Sequence, residues 1–299
     1  MQYYFFKFIT KIVSLLPYSL VILLGRGLGN LYYKLVKKQV NRARCTIKEG
    51  LGVPEKEADE ITKSMCRNLG MSVMEIMYTP ALNKANIRNY VKIEREDMLW
   101  ETVNEGKGVI ILAIHMDNWE WLGAALALYG YPLTSFVKRQ PSEAVNKILR
   151  DLRVGVGIEL FTRGTSETVT AARALKKGKM LGFIADQDGG YDGIFLPFLG
   201  KMASTPTGPA FFAKKFKSPI VPIFIVRNPE GGHNTIVCDK FYYEDTGDEQ
   251  KDMYECTRRM TEIVEDVIRK HPDNWLWFQK RWNTPYVEKK QEGSSYAVS

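Results

Sequence analysis

The apolar positions along the chain form a series of unbroken runs separated by amphipathic segments. The clearest run, residues 108–114, is mostly β-branched and aliphatic, ends at His115, and is followed by a polar turn and an Ala-rich apolar segment over 119–128. Continuous apolar runs of this length are typical of strands buried on both faces, and the segment after the turn is predicted to be a helix. His115 is therefore predicted to lie at the carboxyl end of a central strand.

The same alternation of strand and helix patterns continues along the chain. Apolar runs predict strands over 131–137, 157–164, 179–185 and 219–226, with 235–243 pairing with the last of them. Helical spacing predicts helices within 54–85, 141–153, 166–177, 210–216 and 248–270. This order favours an α/β fold in which helices flank a mainly parallel central sheet. Two prolines, Pro219 and Pro222, favour an edge or a bulge for strand 219–226.

Residues 1–36 differ in composition from the rest of the chain. Their apolar stretch between Lys11 and Arg26 covers 14 residues, whereas a helix needs roughly 20 to span a bilayer. The basic residues that follow predict that the remainder lies on the cytoplasmic side: Arg26, Lys34, Lys37, Lys38, Arg42 and Arg44. We expect 1–36 to be a membrane anchor or a membrane-embedded hairpin, the alternative being a buried core helix. Residues 37–286 are predicted to form the main domain, and 287–299 a disordered tail.

Charge and cysteine content narrow the function classes. The formal net charge of +8 indicates anionic partners, such as an acidic membrane surface, a phosphorylated lipid, an acidic protein or nucleic acid. The four cysteines are widely spread and show no paired spacing. This pattern argues against a zinc ribbon or a disulfide framework and favours a reducing compartment.

His115 and Glu120 form the first candidate catalytic pair. On one continuous helix they would lie roughly 140° apart, so they can meet only if His115 lies in the turn and Glu120 in the first helical turn. Asp117 is then predicted as the helix N-cap. In one interpretation Glu120 accepts a hydrogen bond from the imidazole, which becomes a general base. In the other, Glu120 only caps the helix and His115 is structural.

Other polar residues follow neighbouring strands. Arg163 and Gly164 end one predicted strand, and Asp186 and Asp188 follow another. Since the carboxyl ends of parallel strands share one edge, where ligands bind in open α/β sheets, we expect these side chains to converge with His115.

Six sequence blocks occur in a characteristic order: His115-x-x-x-x-Glu120, Arg163-Gly164, Asp186–Gly190, Pro197–Gly200, Ser204-Thr205 with Gly208–Ala210, and Trp275–Trp277 with Arg281-Trp282. In these blocks the chain resembles the lipid A biosynthesis acyltransferases, the lauroyl and myristoyl transferases of the wider glycerolipid acyltransferase superfamily. The resemblance covers nearly the whole chain. The wider superfamily carries Asp where this chain has Glu120, and the lipid A branch is similar to this sequence in accepting Glu.

The resemblance implies acyl transfer from an acyl thioester of acyl carrier protein or coenzyme A to a hydroxyl of a phosphorylated glycolipid, with a lipid A precursor as the expected acceptor. The location it implies is the cytoplasmic face of a bacterial inner membrane. By resemblance, His115 is the general base, Glu120 orients it, and Arg163 with Gly164 binds an oxyanion or a phosphate. Further site candidates are Asp117, Asn118, Asp186, Gln187, Asp188, Thr205 and Arg281. We expect no cofactor, no metal ion and no nucleic acid.

Three alternatives remain at this point. The acceptor can be another lipid, such as a phosphatidylinositol mannoside, a lysophospholipid or an aminolipid. A metallohydrolase would use His115 with Asp117, Asp186 with Asp188, and His233, although the Gly-Gly-His turn at His233 predicts a surface position. A non-enzymatic binder would use charge alone, but the chain has no nucleic-acid motif with interleaved aromatic residues. No Ser or Cys adjoins His115, so a covalent acyl-enzyme is not expected.

Overall fold

The computed structural model describes residues 1–137, 141–162, 167–228 and 231–286. Its strands are β1 (Val91–Lys92), β2 (Val109–Ala113), β3 (Leu133–Val137), β4 (Glu159–Thr162), β5 (Met180–Ile184), β6 (Ile194–Phe198), β7 (Lys201–Thr205), β8 (Ile220–Arg227) and β9 (His233–Val237). Seven of them form one sheet in the order β1-β9-β8-β2-β5-β3-β4, and β6 and β7 form a separate antiparallel hairpin. The five strands from β8 to β4 are parallel to one another, and β9 is antiparallel to β8.

Helices cover both faces of this sheet, which confirms the predicted α/β fold with a mainly parallel central sheet. They are α1 (Gln2–Val13), α2 (Tyr18–Leu35), α3 (Lys37–Leu51), α4 (Glu55–Tyr78), α5 (Glu96–Asn104), α6 (Trp119–Leu128), α7 (Glu143–Gly155), α8 (Glu167–Lys176), α9 (Gly208–Phe216) and α10 (Glu249–Lys270). Helix α4 begins directly after Pro54 and ends two residues before Pro80, as the proline positions predict.

Strand β2 is buried on both faces, and its side chains alternate between two cores. Ile110 and Leu112 pack with residues of α3, α8, α9 and α10, while Val109 and Ile111 pack with residues of α5 and α6. This double burial explains the unbroken apolar run, because neither face of the strand meets water. It also fixes the register of β2, and with it the position of the chain that leaves the sheet toward His115.

The prediction that β8 lies at an edge is wrong, since β8 is an interior strand between β9 and β2. Its pairing with β2 covers Ile220 to Pro222, whereas its pairing with β9 covers Ile223 to Arg227. The strand therefore changes partners at Pro222. Because the ladder with β2 stops there, the missing N–H of the proline interrupts no further hydrogen bond on that side.

The two N-terminal helices are separated by Pro17, and α2 packs closely on α4. The backbones touch where Gly25 and Gly29 of α2 face Gly70 of α4, since a Cβ on any of the three would collide with the opposing backbone. No helix in the described ranges is both long and apolar enough to cross a bilayer. The outer faces of α1 and α2 and the turn between them carry exposed apolar side chains: Tyr4, Phe5, Phe8, Ile12, Leu15, Leu20, Leu23, Leu24, Leu28, Leu31 and Leu35.

Candidate active site

His115 lies just beyond the carboxyl end of β2, as predicted, and its backbone is held on two sides. Its N–H donates to Oδ2 of Asp186 (2.9 Å), and its carbonyl accepts from the N–H of Leu276 (2.9 Å). The side chain is 17% exposed. The imidazole is therefore partly exposed, and its backbone is fixed by hydrogen bonds from residues distant in sequence.

The carboxylate that contacts the imidazole belongs to Asp186. It follows β5, which pairs directly with β2, so the two strand ends lie side by side. Asp186 Oδ1 lies 2.7 Å from His115 Nδ1, and Oδ2 also accepts from Trp275 Nε1 (2.8 Å) and Gln279 Nε2 (2.9 Å). Burial alone would raise the pKa of Asp186, but the electrostatic interaction with His115 and these hydrogen bonds lower it below its usual value.

This geometry determines the tautomer of His115. An ionised carboxylate can only accept, so Nδ1 carries the hydrogen and donates it to Asp186. In the neutral form of the ring the lone pair is then on Nε2, which has no hydrogen-bond partner among the described residues. A neutral imidazole with its basic nitrogen directed away from its carboxylate partner is the arrangement of a general base.

Glu120 lies in the first turn of α6, as predicted, but the predicted hydrogen bond to His115 is absent between these two described residues. Glu120 instead accepts from Arg153 of α7 at both oxygens (2.7 Å from Nε, 2.5 Å from Nη2) and from Trp119 Nε1 (3.1 Å). Burial lowers the pKa of Arg153, and the bonds to Glu120 outweigh this and raise it. Sequence spacing predicts that Glu120 binds the His115 imidazole, but in the structure its carboxylate binds the guanidinium of Arg153.

The start of α6 also differs from the prediction. The N-cap is Asn118, whose Oδ1 accepts from the N–H of Trp121 (3.1 Å). Asp117 cannot be the cap because its backbone has a left-handed φ of +41° and its carboxylate points into the interior. Trp119 packs edge-to-face on the His115 ring, with ring centroids 4.9 Å apart.

His233 is buried, so its predicted surface position is wrong: it is 2% exposed and lies at the start of β9. Its ring is flanked by Asp117 and Glu75, which also bind Arg227; we refer to Glu75, Asp117, Arg227 and His233 as the charged quartet. Burial lowers the pKa of His233, but the charges of Glu75 and Asp117 outweigh it and raise the pKa to about 9. His233 is therefore an imidazolium at neutral pH.

Three of the remaining candidates form hydrogen bonds that join the loops around the site. Asp188 accepts from the hydroxyl (2.6 Å) and the N–H (3.2 Å) of Thr284. Thr205 accepts from Nη2 of Arg281 (2.7 Å), whose Nη1 donates to the carbonyl of Ser204. Burial lowers the pKa of Arg281 to about 10.

Gln187 is exposed beside Asp186. Arg163 and Gly164 lie outside the described residues, so their predicted role stays a prediction, as does the predicted disorder of 287–299. In the described part of the chain, no group of three or more His, Cys, Asp or Glu side chains is arranged to hold a metal ion.

Several contributing residues were not found from the sequence. Trp275 appeared only as part of a sequence block, and Gln279, Arg153, Glu75 and Arg227 were not singled out. Glu75 had the weakest signal, because it is one of many charged residues on an amphipathic helix. Arg227 had a clearer sequence signal, since it ends a long apolar strand just as His115 follows β2.

Comparison with known proteins decides the family. Residues 1–284 match the family described as bacterial lipid A biosynthesis acyltransferase. The chain belongs to this family. It is therefore an acyltransferase, and the resemblance seen in the sequence blocks is confirmed.

The chain is similar at low sequence identity to several known acyltransferases, over most of their length. The chain is 23% identical to the lipid A biosynthesis palmitoleoyltransferase of Escherichia coli (strain K12) over 275 residues, which cover 90% of this chain and 87% of the relative. It is 23% identical to the lipid A biosynthesis lauroyltransferase of the same strain over 279 residues (91% and 88%). It is also 20% identical to the phosphatidylinositol mannoside acyltransferase of Mycolicibacterium smegmatis over 245 residues (81% and 77%).

Proposed function

We propose that this protein transfers a fatty acyl chain from an acyl thioester to a hydroxyl of a phosphorylated glycolipid, with His115 as the general base and Asp186 as the residue that orients it. The observation that carries the proposal is the 2.7 Å contact between His115 Nδ1 and Asp186 Oδ1, which leaves Nε2 available as a base. The family supplies the reaction type.

The proposed step is a direct transfer. Nε2 of His115 accepts the proton of the acceptor hydroxyl while that oxygen attacks the thioester carbonyl. The tetrahedral intermediate collapses by breaking the C–S bond, and the imidazolium returns the proton to the departing thiolate. General-base catalysis of this kind contributes about 10²–10⁴-fold, and each hydrogen-bond donor to the oxyanion adds about 2.7–4 kcal/mol. Arg163 and Gly164 are proposed as such donors or as ligands of an acceptor phosphate.

The proposed acceptor is supported by the net charge of the chain and by the lipids for which its relatives are named. Two of the relatives above are named for lipid A biosynthesis and one for acyl transfer to a phosphatidylinositol mannoside. Both lipids are phosphorylated glycolipids. The net charge of +8 favours such an anionic acceptor and an acidic donor carrier. We propose a lipid A precursor as the acceptor, with the mannoside as the second candidate.

The proposed location is the cytoplasmic face of a bacterial inner membrane, with α1 and α2 lying in the plane of the membrane surface. Support comes from the exposed apolar row on these helices, in which Leu20, Leu24, Leu28, Leu31 and Leu35 recur at helical spacing. Basic residues follow on α3, where they can contact anionic headgroups.

Sedimentation with phosphatidylglycerol vesicles tests this location. Leu24→Gln with Leu31→Gln is expected to reduce vesicle binding at least tenfold. The matched control is Val169→Gln on α8, because Val169 is equally exposed but distant in sequence from this row. Equal binding by both proteins would contradict the proposed docking face.

The reaction is tested with the purified full chain and acyl thioesters of acyl carrier protein and of coenzyme A. Each donor is offered with a lipid A precursor, a phosphatidylinositol mannoside, a lysophospholipid and an aminolipid, and products are identified by mass spectrometry. We expect an O-acylated phosphorylated glycolipid, and no product from a folded His115→Ala variant. Transfer to none of the glycolipids, or an unimpaired His115→Ala variant, would overturn the proposal.

A further inference from the structure

The charged quartet lies under the loop that carries His115, and its four side chains come from separate elements. Glu75 belongs to α4, Asp117 to the loop, Arg227 to the end of β8 and His233 to the start of β9. Arg227 contacts Glu75 through both terminal nitrogens (2.8 Å each) and Asp117 Oδ1 through Nη2 (2.8 Å). His233 contacts Asp117 Oδ2 through Nδ1 (2.8 Å) and Glu75 Oε1 through Nε2 (3.1 Å).

The quartet is balanced in charge, and its carboxylates are fully hydrogen-bonded, whereas the buried Nε of Arg227 has no partner among the described residues. Two carboxylates face a guanidinium and an imidazolium, so the net charge is zero. Tyr18 of α2 donates to Glu75 Oε1 (2.7 Å), and Ser72 of α4 donates to Asp117 Oδ1 (3.0 Å). Every carboxylate oxygen of the quartet therefore accepts at least one hydrogen bond, as a buried ionic group requires.

The quartet contacts the loop at Asp117 and Asn118, the last two of the three residues between His115 and α6. Asp117 is part of the quartet, and Asn118 donates from Nδ2 to Glu75 Oε2 (3.0 Å) while its other side-chain atom caps α6. From the opposite side, Asn274 accepts from the N–H of Asp117 (2.6 Å) with its carbonyl and from the N–H of Arg227 (2.9 Å) with Oδ1. The left-handed backbone of Asp117 is thus held by partners on both sides.

Stability alone gives little reason for this arrangement. Buried ion clusters often contribute no more to stability than apolar residues of the same size, because desolvation of the charges cancels most of their attraction. Their directional hydrogen bonds do, however, select a single geometry. This charged cluster binds Asp117 and Asn118, which lie between the proposed catalytic base and the following helix, where a single geometry matters most.

We propose that the charged quartet positions His115 for catalysis, with Glu75, Arg227 and His233 as positioning residues that act through Asp117 and Asn118. The proposal rests on the proposed function, since it assigns these residues to the same site. Through Tyr18 it also links the loop to α2, one of the two helices proposed to contact the membrane.

Glu75→Gln is the main test, because it keeps the side-chain shape and removes one negative charge. We expect the variant to fold and kcat to fall about 10–100-fold, with KM for the acyl thioester changed less than threefold, since a misplaced base slows the chemical step without weakening binding. The control is Asp252→Asn, which removes a buried carboxylate that binds Thr246 at the start of α10, away from the loop. At an equal loss of melting temperature, Asp252→Asn is expected to keep kcat.

A second readout is independent of turnover. The chain has three histidines, so ¹⁵N-labelled imidazoles give a simple NMR spectrum that distinguishes imidazolium from the two neutral tautomers. In Glu75→Gln we expect the His115 signals to lose part of their Nδ1–H character. If Glu75→Gln does not fold, Tyr18→Phe keeps the ring packing, and the same changes are expected on a smaller scale. Unchanged His115 signals and unchanged kcat in the variant that folds would overturn the positioning proposal, whereas a wild-type protein without transferase activity would overturn only the proposed function.

Discussion

The charge on His233 makes folding stability depend on pH. Its pKa is about 9 in the folded protein, against an ordinary value of 6.5, because Glu75 and Asp117 outweigh the effect of burial. The other charged or titratable groups that face it are Arg227 of β8, which binds both carboxylates, and Tyr18 of α2, which donates to Glu75. Since the folded-state pKa is the higher one, the stabilisation is fully present below pH 6.5 and is lost as the pH rises through 9.

The size of this effect follows from the two pKa values. Between pH 6.5 and 9, stability falls by about 1.4 kcal/mol for each pH unit, or roughly 3 kcal/mol in total. This is a substantial part of the stability of an ordinary domain, which is about 5–15 kcal/mol. Above pH 9 the quartet has an excess negative charge in the protein interior.

Urea unfolding of the wild type and of His233→Gln between pH 6 and pH 10 measures this contribution. Other groups titrate in the same way in both proteins, so the difference in free energy of unfolding isolates His233. We expect the wild type to lose roughly 3 kcal/mol of its advantage across the range, with most of the change between pH 7 and pH 9. A difference that stays constant over this range would refute the assignment of a buried imidazolium.

Three further predictions concern packing and hydrogen bonding. Gly29→Ala is expected to destabilise the protein by about 1–3 kcal/mol, because the new Cβ would lie 2.6 Å from the Cα of Arg67. The control Gly27→Ala on the same helix meets nothing within 4 Å and is expected to stabilise the protein by about 0.5–1 kcal/mol. Equal effects of the two variants in thermal unfolding would contradict the close contact of α2 with α4. Glu120→Gln is expected to cost about 1–3 kcal/mol by weakening the hold on Arg153 while retaining more than about a tenth of the transfer rate, and a rate loss as large as that of His115→Ala would show that Glu120 acts on the base directly. Thr205→Val leaves Nη2 of Arg281 without its acceptor in the interior and is expected to cost about 1–3 kcal/mol with an unchanged KM for the acceptor lipid; a large rise in KM in steady-state assays would instead place Thr205 in the substrate site.

The layered α/β fold and the position of His115 could be predicted because both depend on local patterns. Residues 108–114 carry no polar side chain, so both faces of the strand are apolar, as expected for a strand that is buried on both faces. Prolines at 54 and 80 bracket α4 in the same local way. Such features are visible in one sequence because neighbours along the chain determine them.

The partner of His115 could not be predicted from spacing, because it depends on strand order. Asp186 is 71 residues from His115 in sequence, and it reaches the ring because β5 rather than β3 pairs with β2. Glu120 is close in sequence, yet Arg153 of α7 binds it. His233 likewise follows two glycines that suggest a surface turn, while the register of β9 against β8 places it in the interior opposite Arg227.

The single-turnover rate of acyl transfer by Asp186→Asn, measured beside Glu120→Gln with the same thioester and acceptor, tests the central claim most directly. Replacement of the carboxylate by an amide removes the partner that selects the Nδ1–H tautomer, and a loss on the order of 10³–10⁴-fold is expected for Asp186→Asn. Glu120→Gln is expected to lose less than about tenfold, because its carboxylate binds Arg153 and not the imidazole. A folded Asp186→Asn variant that transfers acyl groups as fast as Glu120→Gln, or faster, would contradict the account.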